Sequence, residues 1–296
     1  MSKDDANLNQ RPRVGLALSG GVARGNAHIG VLRVLEENHI PIDYIAGTSA
    51  GALVAAAYAA GMTIDEIAET GRALRWRDVG RVTLSRLGIQ SNARMEEFAR
   101  ARLPINRFEE LRIPLAVVAT DLKSGSAVIL TEGDVAFAIR ASCALPGWYV
   151  PVTDEHGRQL VDGGLVANIP TAAARILGAD IVIAVDVNSE GAKFIGPPHS
   201  IIGVLLQSIM VVQRTASIHQ LHDADVVISP KTGHIRWDEM GRVDDLIALG
   251  EQAARPTIAR IKHLIEPSIE PPAKWYQRRR RQQPPQEDKR RVSPLR

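Results

Sequence analysis

Two short apolar runs near the start of the chain each stop at a glycine turn and hand over to a helix pattern. Val14 to Leu18 ends at Ser19-Gly20-Gly21, and Ala27 to Leu35 then shows helical spacing through Ile29, Leu32 and Leu35. Ile42 to Ala46 ends at Gly47-Thr48-Ser49-Ala50-Gly51 and runs into the alanine-rich stretch Ala52 to Ala60. Strands covered on both faces need no polar alternation, so short continuous apolar runs suit a parallel sheet. Glycine marks the point where strand gives way to helix. A helix rich in alanine and free of charge has no solvent face and is expected to be buried all round.

The alternation returns further on. Pro114 to Thr120 and Ala127 to Leu130 read as strands, Asp134 to Ser142 as a helix, and Gln159 to Val161 as a short strand ending at Asp162-Gly163-Gly164. Thr171 to Leu177 reads as a helix, Ile181 to Val187 as a central parallel strand and Val226 to Ser229 as a later one. Ile202 to Leu221 and Val243 to Ile265 read as long helices packed on the sheet. Thr63 to Arg102 differs: amphipathic stretches Asp65 to Leu74 and Ala93 to Arg102 flank basic, glycine-containing segments with no core strand, which suggests an insertion covering the sheet. The expected fold class is α/β, a three-layer sandwich around a mostly parallel sheet, with a helical insertion after the helix that follows Ser49.

A chain of 296 residues suits one large domain with tails. Residues 1–12 are expected to be a disordered N-terminal segment, 13–268 the folded domain and 269–296 a disordered basic tail. From Pro271 onward there are nine basic and two acidic residues, with five prolines and four glutamines. Such a segment buries too little apolar surface to offset its ordering entropy. Its net charge of +7 leaves the rest of the chain at −4, although the whole is +3. Arg278 to Arg281 suit anionic lipid headgroups or non-specific contact with nucleic acid; a solvated tail without a partner is the plain alternative. No specific nucleic-acid partner is expected.

The single cysteine, Cys143, excludes an internal disulfide and argues against a cysteine-based metal site. The polar N-terminus does not read as a signal peptide, and the most apolar window, Ile201 to Val212, is shorter than the ~20 residues that span a bilayer. These features point to a cytoplasmic protein with at most a peripheral membrane attachment.

Three segments carry candidate chemistry. Gly47-Thr48-Ser49-Ala50-Gly51 fits G-x-S-x-G between a strand and a helix, the setting in which a serine is exposed as a nucleophile on a sharp turn. An ordinary helix N-cap serine is the competing reading. Ser19 to Gly25 contains Gly20, Gly21 and Gly25, whose unshielded N–H groups suit a developing oxyanion. A dinucleotide cradle is disfavoured because Val22 breaks G-x-G-x-x-G, and no G-K-S/T follows for a P-loop. Asp162, followed by Gly163 and Gly164, presents a carboxylate on a tight turn at a sheet edge, and it would need burial or hydrogen bonding to become a useful base. A plain Asp-Gly turn competes with that reading. His219, His222 and His234 follow in the order of an ordinary Ser-acid-His triad, and His28 follows the glycine loop, but none has a distinctive setting.

Together the three segments resemble the patatin-like phospholipase family, in particular its bacterial single-domain members. Ala141-Ser142-Cys143-Ala144-Leu145-Pro146-Gly147 and Asn168-Ile169-Pro170 look similar as well, and the resemblance extends from about Arg13 to Ile265. It implies a Ser-Asp dyad, with Ser49 as nucleophile and Asp162 as proton acceptor, and no histidine. It also implies an oxyanion hole built from Gly20, Gly21, Val22 and Gly25 with Arg24 supporting the loop, and structural roles for Gly47, Gly51, Gly163 and Gly164. Val22 stands where the family usually has a third consecutive glycine, and its branched side chain narrows the approach.

The implied function is a serine-dependent carboxylic ester hydrolase acting on lipid acyl esters, phospholipase, lysophospholipase or esterase, without metal or organic cofactor. Ile64, Ile67, Leu74 and Trp76 in the insertion, with Trp148-Tyr149, are expected to cover the acyl chain or form a membrane-facing lip, or else to be plain core contacts. The alternative function is a catalytically weak regulatory or membrane-associated interaction protein on the same fold. Oligomeric state is left open by the sequence.

Overall fold

The computed structural model describes residues 11–190, 198 and 200–266. The tail expected over 269–296 lies outside these residues, as does the N-terminal segment up to residue 10. In chain order the elements are β1 (Val14–Leu18), α1 (Ala27–Glu37), β2 (Tyr44–Thr48), α2 (Ala50–Ala59), α3 (Ile64–Ala73), α4 (Trp76–Val79), β3 (Arg81–Val82), β4 (Gly88–Ser91) and α5 (Ala93–Arg102). Then come β5 (Leu115–Asp121), β6 (Ala127–Leu130), α6 (Val135–Ser142), β7 (Gly147–Tyr149), β8 (Val152–Thr153), β9 (Gln159–Asp162), α7 (Gly164–Ala167) and α8 (Thr171–Leu177). The chain continues through β10 (Ile181–Val185), α9 (Ile201–Leu221), β11 (Val226–Ile228), α10 (Val243–Ala254) and α11 (Ile258–Ile265). Pro256 divides the helix expected over Val243 to Ile265, because it lacks an N–H donor and its ring clashes with a continuing turn.

The main sheet has the order β11-β10-β1-β2-β5-β9-β8, with β6 also paired to β5. Strands β11, β10, β1, β2 and β5 run parallel, while β6 and β9 pair antiparallel with β5. The sheet is therefore mixed and mostly parallel, with helices on both sides, as the alternating sequence pattern leads one to expect.

Strand periodicity sorts residues onto two faces. Val14, Leu16 and Leu18 of β1 join Ile45, Leu115, Val117, Ile183 and Val185 in the larger core, which is closed by α1, α2, α6 and α10. Ala17, Ala46, Ala116 and Val182 face the other way, against Ala173 and Ala174 of α8. The small residues on this second face let α8 lie close to the strands. Helix α10 packs on α1 where Gly30 and Gly250 meet backbone of the opposite helix, so a Cβ at either would overlap main-chain atoms.

The insertion holds α3 and α5, as the amphipathic spacing predicts, with the short α4 between them. It also contributes the β3–β4 hairpin, whose β4 pairs in parallel with β7 to make a separate three-stranded sheet. Helix α3 starts on a capping box in which the Thr63 side chain accepts from the Glu66 N–H and the Glu66 carboxylate accepts from the Thr63 N–H.

Candidate active site

Strand register brings the two expected catalytic side chains together. Thr48, the last residue of β2, pairs with Val118 of β5, and the next β5 residue, Ala119, pairs on its other side with Asp162. Ser49 follows Thr48 directly, so it and Asp162 flank the same end of β5, about two strand spacings or ~10 Å apart at the backbone. This is the carboxyl end of the parallel strands, where open α/β sheets place ligands. Strand β9 lies between β5 and β8, so Asp162 is not at a sheet edge as the sequence suggested. It sits buried at a strand end, with its N–H donating to the Ala144 carbonyl at 2.9 Å.

Ser49 is held at φ 53°, ψ −123°, a conformation L residues seldom adopt, and α2 begins at the next residue. Its side chain caps no helix N–H, which removes the N-cap explanation of the pentapeptide. The Ser49 N–H donates to Ser142 Oγ at 2.8 Å, and the Ser142 hydroxyl donates to the Val118 carbonyl at 2.6 Å. Ser142 thus ties the strained turn to the strand beneath it. Gly51 passes so close to the Leu18 and Ser19 carbonyls that a Cβ would overlap them, and Gly163 lies equally close to the Val118 carbonyl. Thr48 donates from its hydroxyl to the Ala167 carbonyl at 2.7 Å, and Thr120 donates to the Asp162 carbonyl at 2.9 Å.

Burial pushes the Asp162 carboxyl from 3.8 up to about 6, although the Gly164 N–H and the neighbouring Ser49 hydroxyl pull in the opposite direction. The Gly164 N–H donates to Asp162 Oδ1 at 2.7 Å. Cys143 is a second neighbour of Ser49; burial holds its thiol well above the ordinary range and keeps it protonated.

The glycine loop is positioned by β10 and the chain that leaves it. The Ser19 N–H donates to the Val185 carbonyl at 3.1 Å, the Val187 N–H donates to Ser19 Oγ at 3.1 Å, and Asn188 Nδ2 donates to the Gly20 carbonyl at 2.9 Å. The loop residues divide into two groups. The Gly20 N–H is already given to the Asn168 carbonyl at 3.1 Å, so it is not available as an oxyanion donor, and a Cβ there would sit 2.8 Å from Asn168 Oδ1. Gly25 serves a close approach to α2, its Cβ position lying 2.5 Å from the Ala50 Cβ. Arg24 is buried and turned away, with Nε donating to the Ile235 carbonyl at 2.9 Å and Nη1 donating to Asn188 Oδ1 at 3.2 Å. By holding Asn188, which in turn holds Gly20, Arg24 supports the loop without presenting a donor to Ser49.

The remaining loop N–H groups, those of Gly21 and Val22, have no acceptor among the described residues. Both residues line a cavity together with Ser49 and Asp162. Val22 sits at φ 49°, where a glycine would be unstrained.

No histidine lines the cavities around Ser49 among the described residues. His219, His222 and His234 are all exposed. His28 is fully buried behind the loop, where its Nε2–H donates to the Ser19 carbonyl at 2.8 Å and burial pushes its pKa down to about 4. Also among the described residues, no group of three or more His, Cys, Asp or Glu is placed to hold a metal ion.

From Ser49 and Asp162 a larger cleft opens beneath the insertion. Leu53 and Val54 of α2 line one side, and Ile67, Leu74, Trp76, Met95 and Phe98 of the insertion line another. Trp148 and Tyr149 reach this cleft as expected, while Ile64 is a buried core residue. Trp237 and Met240, from the loop after β11, were not suggested by the sequence at all. Trp237 packs edge-on against Trp76 at a centroid distance of 6.1 Å.

This arrangement coincides with a match at the family level. The family model for patatin-like phospholipases matches residues 16–175, which contain the glycine loop, Ser49 and Asp162. The chain belongs to that family. An NTE family protein of Mycobacterium tuberculosis, uncharacterised, is 40% identical over 184 residues, covering 61% of this chain and 51% of that protein. Lysophospholipase NTE1 of Mycosarcoma maydis is 36% identical over 184 residues, covering 60% of this chain and 10% of that protein. The match thus spans about half the length of the mycobacterial relative and a much smaller part of the fungal one. Among solved structures, VipD from Legionella pneumophila is 14% identical, with a TM-score of 0.48 over 85% of this chain and 67% of that one. Membership among patatin-like phospholipases supports a lipid hydrolase at the level of the family.

Proposed function

We propose that this patatin-like chain hydrolyses acyl esters of lipids with a Ser49–Asp162 dyad. The observation that carries the reading is the pairing of a serine on a strained strand-to-helix turn with a buried carboxylate of raised pKa across the end of β5. Raised basicity matters because a general base works best with a pKa near the working pH, and an ordinary carboxylate is far from it. The absence of histidine from the cavity walls among the described residues favours the dyad over a triad.

In this scheme the Ser49 Oγ attacks the acyl carbonyl while its proton passes to Asp162. The carbonyl oxygen, now negative, accepts hydrogen bonds from the Gly21 and Val22 N–H groups. Collapse breaks the ester bond, Asp162 returns the proton to the departing alcohol, and an acyl group remains on Ser49. Water then attacks the acyl carbon as Asp162 takes a proton, and the fatty acid leaves with Ser49 restored. The apolar cleft beneath the insertion receives the acyl chain.

The test is active-site labelling of the full chain with a fluorophosphonate, alongside turnover of a chromogenic ester and of defined lipids. Wild-type protein is expected to label at Ser49, and Ser49→Ala to lose labelling and turnover, by a factor of about 10⁴ or more for the latter. Activity should fall below pH 6, because protonated Asp162 cannot accept the serine proton. A folded wild-type protein that neither labels nor turns over ester would favour the interaction-protein alternative, for which the strained Val22 is the supporting feature.

A further inference from the structure

The mouth of the cleft carries apolar side chains that no other element covers among the described residues. In the β3–β4 hairpin, Val82 is 73% exposed, Leu84 fully exposed and Leu87 57% exposed. On α9, Val204, Leu205, Val211 and Val212 are each at least half exposed. These two surfaces border one small element. Strand β4 pairs with β7, and α9 also lies against β7, whose Trp148 and Tyr149 line the large cleft. The inner side of α9 supplies Leu206 and Met210 to the cavity around Ser49. A single rim therefore joins the exposed apolar residues to the entrance of the site.

The charge on this rim runs against that of the surrounding chain. Without the tail the chain is net negative, yet residues 79–94 contain Arg81, Arg86 and Arg94 and no acidic residue. Helix α9 has Arg214 and no acidic residue. Arg81 and Arg86 are exposed and have no carboxylate partner among the described residues. Exposed leucine and valine interspersed with unpaired arginine match a surface that offers hydrocarbon below and negative charge above. An aqueous protein partner would need to complement both features over two separate elements, whereas an anionic bilayer does so without shape-matching.

We infer that the β3–β4 hairpin and the outer face of α9 dock the protein on anionic lipid bilayers, with the cleft mouth facing the membrane. The inference rests on the lipid-hydrolase reading for its purpose, since a docked mouth lets an acyl chain move from bilayer to cleft without crossing water. It differs from attachment through the basic tail, because it assigns binding to the folded body.

The experiment uses full-length Ser49→Ala protein, so that no lipid is consumed, sedimented with vesicles of phosphatidylcholine alone or of equal parts phosphatidylcholine and phosphatidylglycerol. Binding is expected to the mixed vesicles, and about tenfold or more weaker binding to phosphatidylcholine alone. Leu84→Asp with Leu87→Asp, and separately Val204→Asp with Leu205→Asp, are each expected to weaken binding about tenfold or more. Arg81→Glu with Arg86→Glu should remove most of the preference for the anionic lipid. In chains that keep Ser49, the same changes should leave hydrolysis of a soluble short-chain ester unaltered, which also shows that the variants fold. Three outcomes overturn the inference: a parent that does not bind, variants that bind as the parent does and so place attachment in the tail, or variants that shift the oligomeric state in gel filtration and so reveal a protein–protein face. Loss of soluble-ester turnover by the wild-type chain would instead strike the functional reading and leave the vesicle result intact.

Discussion

The floor and the roof of the cleft are built by opposite means. The floor is the end of β2, β5 and β9, where directed hydrogen bonds between buried groups, such as Ser142 to Val118 and Gly164 to Asp162, hold the geometry together with close backbone approaches at Gly51 and Gly163. The roof is α3, α4 and α5, where Leu74, Trp76, Met95 and Phe98 offer apolar surface. Its ties to the body include the exposed Arg72–Asp244 pair at 2.6 Å and a 3.3 Å hydrogen bond from the Trp76 indole to the Asp238 carbonyl. Exposed pairs of this kind contribute about 0–1 kcal/mol each. The contrast teaches where strain serves the site: Ser49 and Val22 hold disfavoured backbone conformations where neighbouring groups fix the geometry, whereas the third such residue, His39, lies on an exposed turn outside the cleft. An acyl chain needs volume and dryness rather than direction, and the roof provides those.

The sharpest way to break this contrast is Asp162→Asn. An amide cannot take the serine proton, so turnover should fall about 10³-fold or more. The same change should raise stability. The folded chain holds the Asp162 proton more tightly than the unfolded chain does, with a pKa of about 6 against 3.8. Stability from this group is therefore greatest below pH 4 and declines as pH rises through 6, where the buried carboxylate ionises at a cost of roughly 3 kcal/mol. The asparagine still accepts from Gly164 and avoids that cost. Melting at pH 8 should show Asp162→Asn more stable than wild type, and at pH 4 nearly equal to it. Equal melting at both values would mean that Asp162 is less desolvated than its burial indicates.

Ser142→Ala comes next. It leaves the Ser49 N–H and the Val118 carbonyl buried without their partner, which costs about 1–3 kcal/mol. Turnover should drop about 10- to 100-fold through misplacement of the nucleophile, with little change in KM. A stability loss unaccompanied by a fall in kcat would show that the turn holds its shape without Ser142.

This residue also illustrates what the sequence could and could not disclose. The strand-turn-helix around Ser49 is legible because apolar runs, glycines and helical spacing are local signals, and the parallel sheet follows from their alternation. Ser142 contacts Ser49 across 93 positions of chain, so although its helix is legible in the pattern, its role at the turn is no local signal. The β3–β4 hairpin was hidden because β3 is two residues long and its sheet is completed by the distant Gly147–Tyr149. Gly20 shows the reverse case: a glycine loop signals free N–H groups, yet tertiary pairing with Asn168 uses the first of them.

On the roof, Trp76→Ala should act by chain length. Removing the indole takes away apolar wall, so KM for long-chain acyl esters should rise up to about tenfold, and the effect should shrink steadily as the acyl chain shortens. The ratio of kcat/KM between long and short esters is the measurement. An equal loss at every chain length would mean that Trp76, through its contact with Trp237, positions the floor as well, since the Trp237 carbonyl accepts from the Ala23 N–H within the glycine loop.

The smallest effect is expected where floor and roof meet. Val22 lines both cavities, sits at φ 49°, and offers one of the two loop N–H groups without an acceptor among the described residues. A branched residue in this conformation carries about 1–3 kcal/mol of strain, whereas glycine avoids the strain but loses roughly 0.5–1 kcal/mol to chain entropy. Val22→Gly should therefore raise stability by about 1 kcal/mol and raise kcat/KM for bulky acyl esters a few-fold as the approach to Ser49 widens. The two readouts separate two roles for the valine. Higher turnover with every ester would mean that the branched side chain holds the N–H out of line with the oxyanion. A gain confined to bulky esters would mean that the donor is already aligned and that Val22 acts as a size filter at the entrance to the dyad.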